Sequence, residues 1–116
     1  MKYDFNFDQL CPATYAFQVI GGKWNLPILA ILSEDDSIRY NELKRRLPGI
    51  TPTMLTNCLK DLIQYGIVHR EQYNEIPPRV EYSLTSSGKE LVPLIESMVL
   101  WGQKNMQRVT ESPQNG

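Results

Sequence analysis

The chain has 116 residues, 41% of them hydrophobic and 22% charged, with a formal net charge of −1. That length suits one domain with a modest core. No run of about 18 apolar residues is available to span a membrane, and the near-neutral balance gives no global attraction to a polyanion. Two cysteines, Cys11 and Cys58, and a single histidine, His69, make neither a disulfide framework nor a metal site of ordinary ligand count, so no cofactor is expected.

Residues 1–10 show no clear period and read as an arm whose Tyr3, Phe5 and Phe7 are available to dock on the chain itself or on a partner. Polar and aromatic rather than basic then apolar, they do not form a secretory signal, and a cytoplasmic protein is expected. Cys11-Pro12 opens a first helix in which Ala13, Ala16, Phe17 and Ile20 share a face, ended by Gly21-Gly22. Lys23 and Trp24 open a second, with Pro27 tolerated in its first turn and Ile28, Leu29, Ile31 and Leu32 apolar enough for burial on most sides. The acidic Glu34-Asp35-Asp36 loop ends it, and Ser37-Ile38-Arg39 allows a short strand.

Tyr40, Leu43 and Leu47 space out a third helix that turns Lys44, Arg45 and Arg46 largely outward and closes at Pro48-Gly49. The fourth is the best marked. Thr51 is an N-cap, Pro52 fits the first helical position because its missing N–H would be unpaired anyway, and Gly66 supplies a left-handed stop. Between them Leu55, Leu59, Leu62 and Ile63 follow one helical face, while Thr53, Thr56, Asn57, Lys60 and Gln64 occupy the other. Two helices joined by a short Pro-Gly turn, the second capped and polar at its start, is the sequence form of a helix-turn-helix.

Ile67 to Tyr73 and Arg79 to Leu84 then read as a β-hairpin, a two-stranded wing, with the proline-stiffened tip Asn74-Glu75-Ile76-Pro77-Pro78. A long last helix begins near Thr85, where Ser87 and Glu90 have the capping-box spacing. Leu91, Leu94, Ile95, Met98, Trp101, Gly102 and Met106 keep a stripe going for about four turns, more than a small domain needs to cover itself, which points to a subunit interface. Pro93 should bend that helix or shift its start. The tail from Thr110 is expected to be disordered. The chain is thus read as one domain, with a core over about residues 10–107.

Charge is unevenly distributed. From Ser37 to Tyr82 there are seven basic residues against five acidic, and elsewhere five against eight. The middle of the chain is therefore the part suited to nucleic acid.

Several ordered motifs together resemble the HxlR family of bacterial transcriptional regulators: Cys11-Pro12, Val19-Ile20-Gly21-Gly22-Lys23-Trp24, Arg39-Tyr40-Asn41-Glu42-Leu43, Ile50-Thr51 with Met54-Leu55-Thr56, Pro77-Pro78-Arg79-Val80-Glu81-Tyr82-Ser83-Leu84-Thr85, and Trp101-Gly102. The likeness spans roughly residues 10–103. It implies an α+β, mostly helical winged helix-turn-helix, a homodimer built from the terminal helices, and repression or activation through palindromic operator DNA. Family members often carry arginine or lysine where this chain has Thr53, so its operator should differ, because threonine cannot make the bidentate guanine contact of arginine.

On this reading the fourth helix lies in the major groove of double-stranded DNA, with Thr51, Thr53, Thr56, Asn57 and Lys60 toward bases or phosphates and Asn57 suited to adenine. Lys23, Arg39, Lys44 and Arg45 are phosphate candidates, and Arg79 at the wing base is placed for the minor groove or a phosphate. Leu91, Leu94, Ile95, Met98 and Trp101 are the expected dimer contacts. Cys11, at a helix N-terminus that favours thiolate, is a candidate oxidant or electrophile sensor by family likeness, against the alternative of an inert cysteine. Two rival readings are a winged-helix protein-interaction module that never touches DNA and a small thiol enzyme. The latter is disfavoured because no general base stands beside Cys11 in the sequence, so no enzyme is expected.

Overall fold

The computed structural model describes residues 11–111, with side chains described as far as Gln107. The predicted arm, with Tyr3, Phe5 and Phe7, lies outside the described residues. Helix α1 (Pro12–Ile20) is followed by α2 (Asn25–Leu32), β1 (Ile38–Arg39), α3 (Tyr40–Arg45), α4 (Pro52–Gln64), β2 (Val68–Tyr73), β3 (Arg79–Leu84) and α5 (Ser86–Glu111). This is a winged helix-turn-helix with the expected two-stranded wing, and the sheet gains a third strand. The short strand β1 pairs antiparallel with β3, Ile38 opposite Tyr82 and Arg39 opposite Glu81, giving a three-stranded sheet in the order β1-β3-β2.

Helix α4 is built from local signals that agree with one another. The Thr51 hydroxyl accepts the Met54 N–H at 3.1 Å, satisfying one of the amides that a helix start leaves unpaired. At the other end Gly66 takes φ +75°. Its N–H donates to the Ile63 carbonyl and the next N–H, Ile67, donates to Leu62, both at 2.9 Å. Those two bonds form a Schellman motif, which turns the chain directly into β2. Leu55, Leu59 and Leu62 enter a core with Ile28, Leu29, Leu32, Leu43, Ile38, Tyr82 and Leu84. Each such leucine contributes about 1.5–3 kcal/mol relative to exposure.

The start of α5 is fastened to that same junction. Its N-cap is Thr85, whose hydroxyl accepts the Gly88 N–H at 3.1 Å. The predicted cap at Ser87 is therefore displaced by two residues, because Thr85 is the residue held in place by the sheet: its N–H donates to the Ile67 carbonyl at 3.0 Å and its hydroxyl to the Gly66 carbonyl at 2.6 Å. Gly88 is required by the same packing. A Cβ there would lie 2.3 Å from the Ile67 carbonyl oxygen.

Four further expectations differ from the fold. The apolar face assigned to α1 is mostly uncovered: Phe17 is 71% exposed and the buried residue is Val19. Only the last turn of α1 is tied down, through Asn25 Nδ2 donating to the Val19 carbonyl at 3.0 Å, while Tyr15 meets Tyr65 edge-on. Helix α5 continues through Pro93, so its start is not shifted. It also extends to Glu111, so Thr110 and Glu111 are helical where a disordered tail was expected, and residues 112–116 lie outside the described residues. Finally, Ile95 is buried in the chain's own core and Leu91 packs half-buried beside it. The first turns of α5 rest on α2 and β3 and turn these two side chains inward, leaving Leu94, Met98, Val99, Leu100 and Trp101 on the surface.

Candidate nucleic-acid interface

The exposed face of α4 carries Thr53, Thr56, Asn57 and Lys60, one to three turns beyond the exposed cap Thr51. It is opposite to the leucines that fix the helix in the core. A helix so held can present its polar face without surrendering packing. The preceding helix is joined by a tight turn in which the Ile50 N–H donates to Leu47 at 3.1 Å, and Ile50 is itself buried. A second tie was missed by sequence reasoning. The hydroxyl of Tyr40, the first residue of α3, donates to the Pro52 carbonyl and also lies against the Thr56 hydroxyl, each at 3.3 Å. Spacing had identified Tyr40 only as an apolar contact.

The predicted cations divide into engaged and unengaged groups. Among the described residues Arg39, Lys44 and Lys60 enter no ion pair. Lys23 sits over the Trp24 ring, 5.1 Å from its centroid. Arg45 instead grips Glu42, Nε and Nη2 donating at 2.9 and 2.5 Å. These hydrogen bonds hold the Glu42 carboxyl below its usual range and raise the Arg45 guanidinium. Both groups are open to water, so the pair adds little stability. Arg46 turns away to Glu34 at the end of α2, whose hydrogen bond raises the guanidinium further.

Arg79, expected at the wing base for the minor groove or a phosphate, is engaged within the hairpin. Its guanidinium lies 4.0 Å from the Tyr73 ring centroid, with Nη2 3.2 Å from Glu75 and Nε 3.8 Å from Glu81. Strand pairing places Tyr73 directly opposite Arg79, which aligns the ring and guanidinium on one face of the hairpin. The wing's unengaged arginine is Arg70, which donates to the Gln72 side-chain oxygen at 3.3 Å and meets no carboxylate among the described residues. Only the pairing register, Arg70 opposite Tyr82, would have singled it out.

Cys11 is the N-cap of α1. Its sulfur accepts the Thr14 N–H at 3.4 Å and lies 3.1 Å from the Thr14 hydroxyl. The hydroxyl first, then that N–H, hold the thiol below its ordinary value. This places the helix-terminal effect in specific donors. Cys58 differs: burial, then the nearby Asp61 carboxylate, push its thiol up.

Comparison with known proteins agrees with this geometry. A family model of HxlR-like helix-turn-helix proteins matches residues 19–110. The chain is 44% identical over 106 residues to the HTH-type transcriptional regulator YybR of Bacillus subtilis (strain 168), covering 91% of this chain and 84% of that one. Among solved structures it resembles the redox regulator HypR in its reduced form, with TM-score 0.81 and 40% identity over 87% of this chain and 99% of that chain. It also resembles reduced YodB of B. subtilis, with TM-score 0.72 and 33% identity over 83% and 94% of the two chains. The wing, the capped α4 and the matched residues converge on one conclusion: this chain belongs to the HxlR-like helix-turn-helix family of transcriptional regulators.

Proposed function

We propose that this DNA-binding regulator acts as a homodimer on a palindromic operator, in the cytoplasm, with residues 1–116 forming a single domain. The observation that supports it most is the pairing of a rigidly packed α4 with an exposed start of hydroxyls, an amide and a lysine. In this reading α4 enters the major groove, Asn57 and Thr53 address base edges, Thr51 and Lys60 reach bases or backbone, and Arg39, Lys44 and Lys23 hold phosphates. Arg45 joins them by exchanging Glu42 for a phosphate. The wing arginine nearest this role is Arg70, with Arg79 bracing the hairpin.

The uncovered face of α5 supports the homodimer reading. Leu94, Met98, Leu100 and Trp101 are exposed on this long helix, and a groove of about 500 Å³ adjoins them, with Ala30, Val92, Ile95, Val99 and Leu100 on its walls and Ser33, Glu34, Glu96 and Gln103 also lining it. An uncovered apolar surface of this kind is a docking face. A twofold dimer would present two α4 helices to two half-sites, which is what a palindrome reads. Cys11 is the candidate sensor within this scheme, as a thiol activated by Thr14 at the start of a terminal helix. The redox character of HypR, so named, supports extending that role here.

The test is titration of the chain on a duplex from its own upstream region and on random duplex over a range of salt. A steep fall of log affinity with log salt on both, with tighter binding to the upstream site, is expected. A DNA interaction without salt dependence would favour the protein-interaction module instead. Operator binding that thiol oxidants and quinones leave unchanged would remove Cys11 from the sensor role.

A further inference from the structure

Thr56 faces outward from α4, but its hydroxyl is not free to rotate. The Tyr40 hydroxyl lies 3.3 Å from both the Pro52 carbonyl and the Thr56 hydroxyl. A carbonyl oxygen only accepts, so both contacts are hydrogen bonds at once when the single Tyr40 proton goes to Pro52. The bond between the two hydroxyls then has one direction: Thr56 donates and Tyr40 accepts. What Thr56 has left for a ligand is its two lone pairs and its methyl group.

We propose that Tyr40 is a positioning residue that fixes this proton and makes Thr56 an acceptor-only contact in DNA readout. In the major groove adenine and cytosine present amino donors, N6 and N4, whereas guanine and thymine present keto acceptors, O6 and O4. Thr56 therefore selects an amino base on the strand it faces and rejects a keto base, against which its lone pair meets another acceptor. A threonine with a free hydroxyl would accept either. The inference rests on the placement of α4 in the major groove given above.

The experiment enriches randomised duplexes with the wild-type chain, with Tyr40→Phe, which keeps the ring and removes the hydroxyl, and with Thr56→Val. Circular dichroism first establishes that both variants are folded. The wild type is expected to restrict one position per half-site to adenine or cytosine. Tyr40→Phe should admit keto bases at that position, a relative gain of roughly five- to a hundredfold, with the other positions unchanged. Thr56→Val should lose the amino preference at the same position. A Tyr40→Phe chain that keeps every wild-type preference, or loses affinity evenly across all sequences, would reduce Tyr40 to a structural brace and overturn the proposal. So would a Thr56→Val chain with unaltered preferences. If the wild type itself enriches no sequence, the placement of α4 has failed together with the proposal, a result distinct from failure of Tyr40→Phe alone.

Discussion

Helices α4 and α5 are both amphipathic, but they spend their apolar faces differently. Leu55, Leu59 and Leu62 of α4 are at most 2% exposed, whereas Leu100 and Trp101 of α5 are 67% and 70% exposed. The first helix is satisfied within one chain and can commit its other face to DNA. The second leaves its outer stripe uncovered. In the homodimer proposed above, the contrast separates two requirements: a rigid reading head and an open joint.

The contrast breaks most visibly at its closed end. Leu55→Ala removes a fully buried side chain of the core and should cost about 2–5 kcal/mol in urea unfolding, the lost burial plus the cavity left behind. A loss well under 1 kcal/mol would mean that α4 is held by something other than its leucine face. Trp101→Asp attacks the open end. It should leave the secondary structure intact while weakening dimerisation by about 2 kcal/mol, read by sedimentation as monomer at concentrations where the wild type is dimeric. A variant that remains dimeric would place the joint elsewhere on α5 or on α1, where Phe17 is also exposed.

The two thiols sharpen the same contrast by a smaller effect. Hydrogen bonds from Thr14 hold Cys11 low, so more of it is thiolate at neutral pH, while burial and Asp61 hold Cys58 high and keep it protonated. Alkylation of Cys11 should therefore be the faster at pH 7 and reach half its maximal rate at a lower pH than a free thiol. That of Cys58 should need a higher pH. Reversed order would show that the Thr14 contacts do not persist in solution.

What could be foreseen from the residues follows the range of the interactions concerned. The limits of α4 were legible because Thr51, Pro52 and Gly66 act on backbone groups within a few positions of themselves. The wing was legible through alternation in Val80, Tyr82 and Leu84. The pairing of β1 with β3 was not, since Ile38 and Tyr82 meet across more than forty residues, and neither was the tie from Thr85 back to Ile67 that selects Thr85 over Ser87 as a cap. The site shows the same division. Thr53, Thr56, Asn57 and Lys60 are exposed as their helical spacing required. The partners of Arg79 were not legible because Tyr73, Glu75 and Glu81 reach it only once the hairpin forms. The Tyr40 hydroxyl was overlooked because its partners lie one helix away. Phe17 and Ile95 exchanged their expected environments for a related reason: an apolar stripe says that a face will be covered, but only the packing of α1, α2 and α5 says by what.

The central claim, that α4 reads bases while the basic residues around it hold the backbone, is tested most directly by comparing Asn57→Ala and Lys44→Ala on operator and on random duplex at fixed salt. Asn57→Ala should lose about 1–3 kcal/mol of preference for the operator with little change on random DNA. Lys44→Ala should weaken both alike and lower the salt slope by about one. Equal losses from both variants on both duplexes would contradict the account.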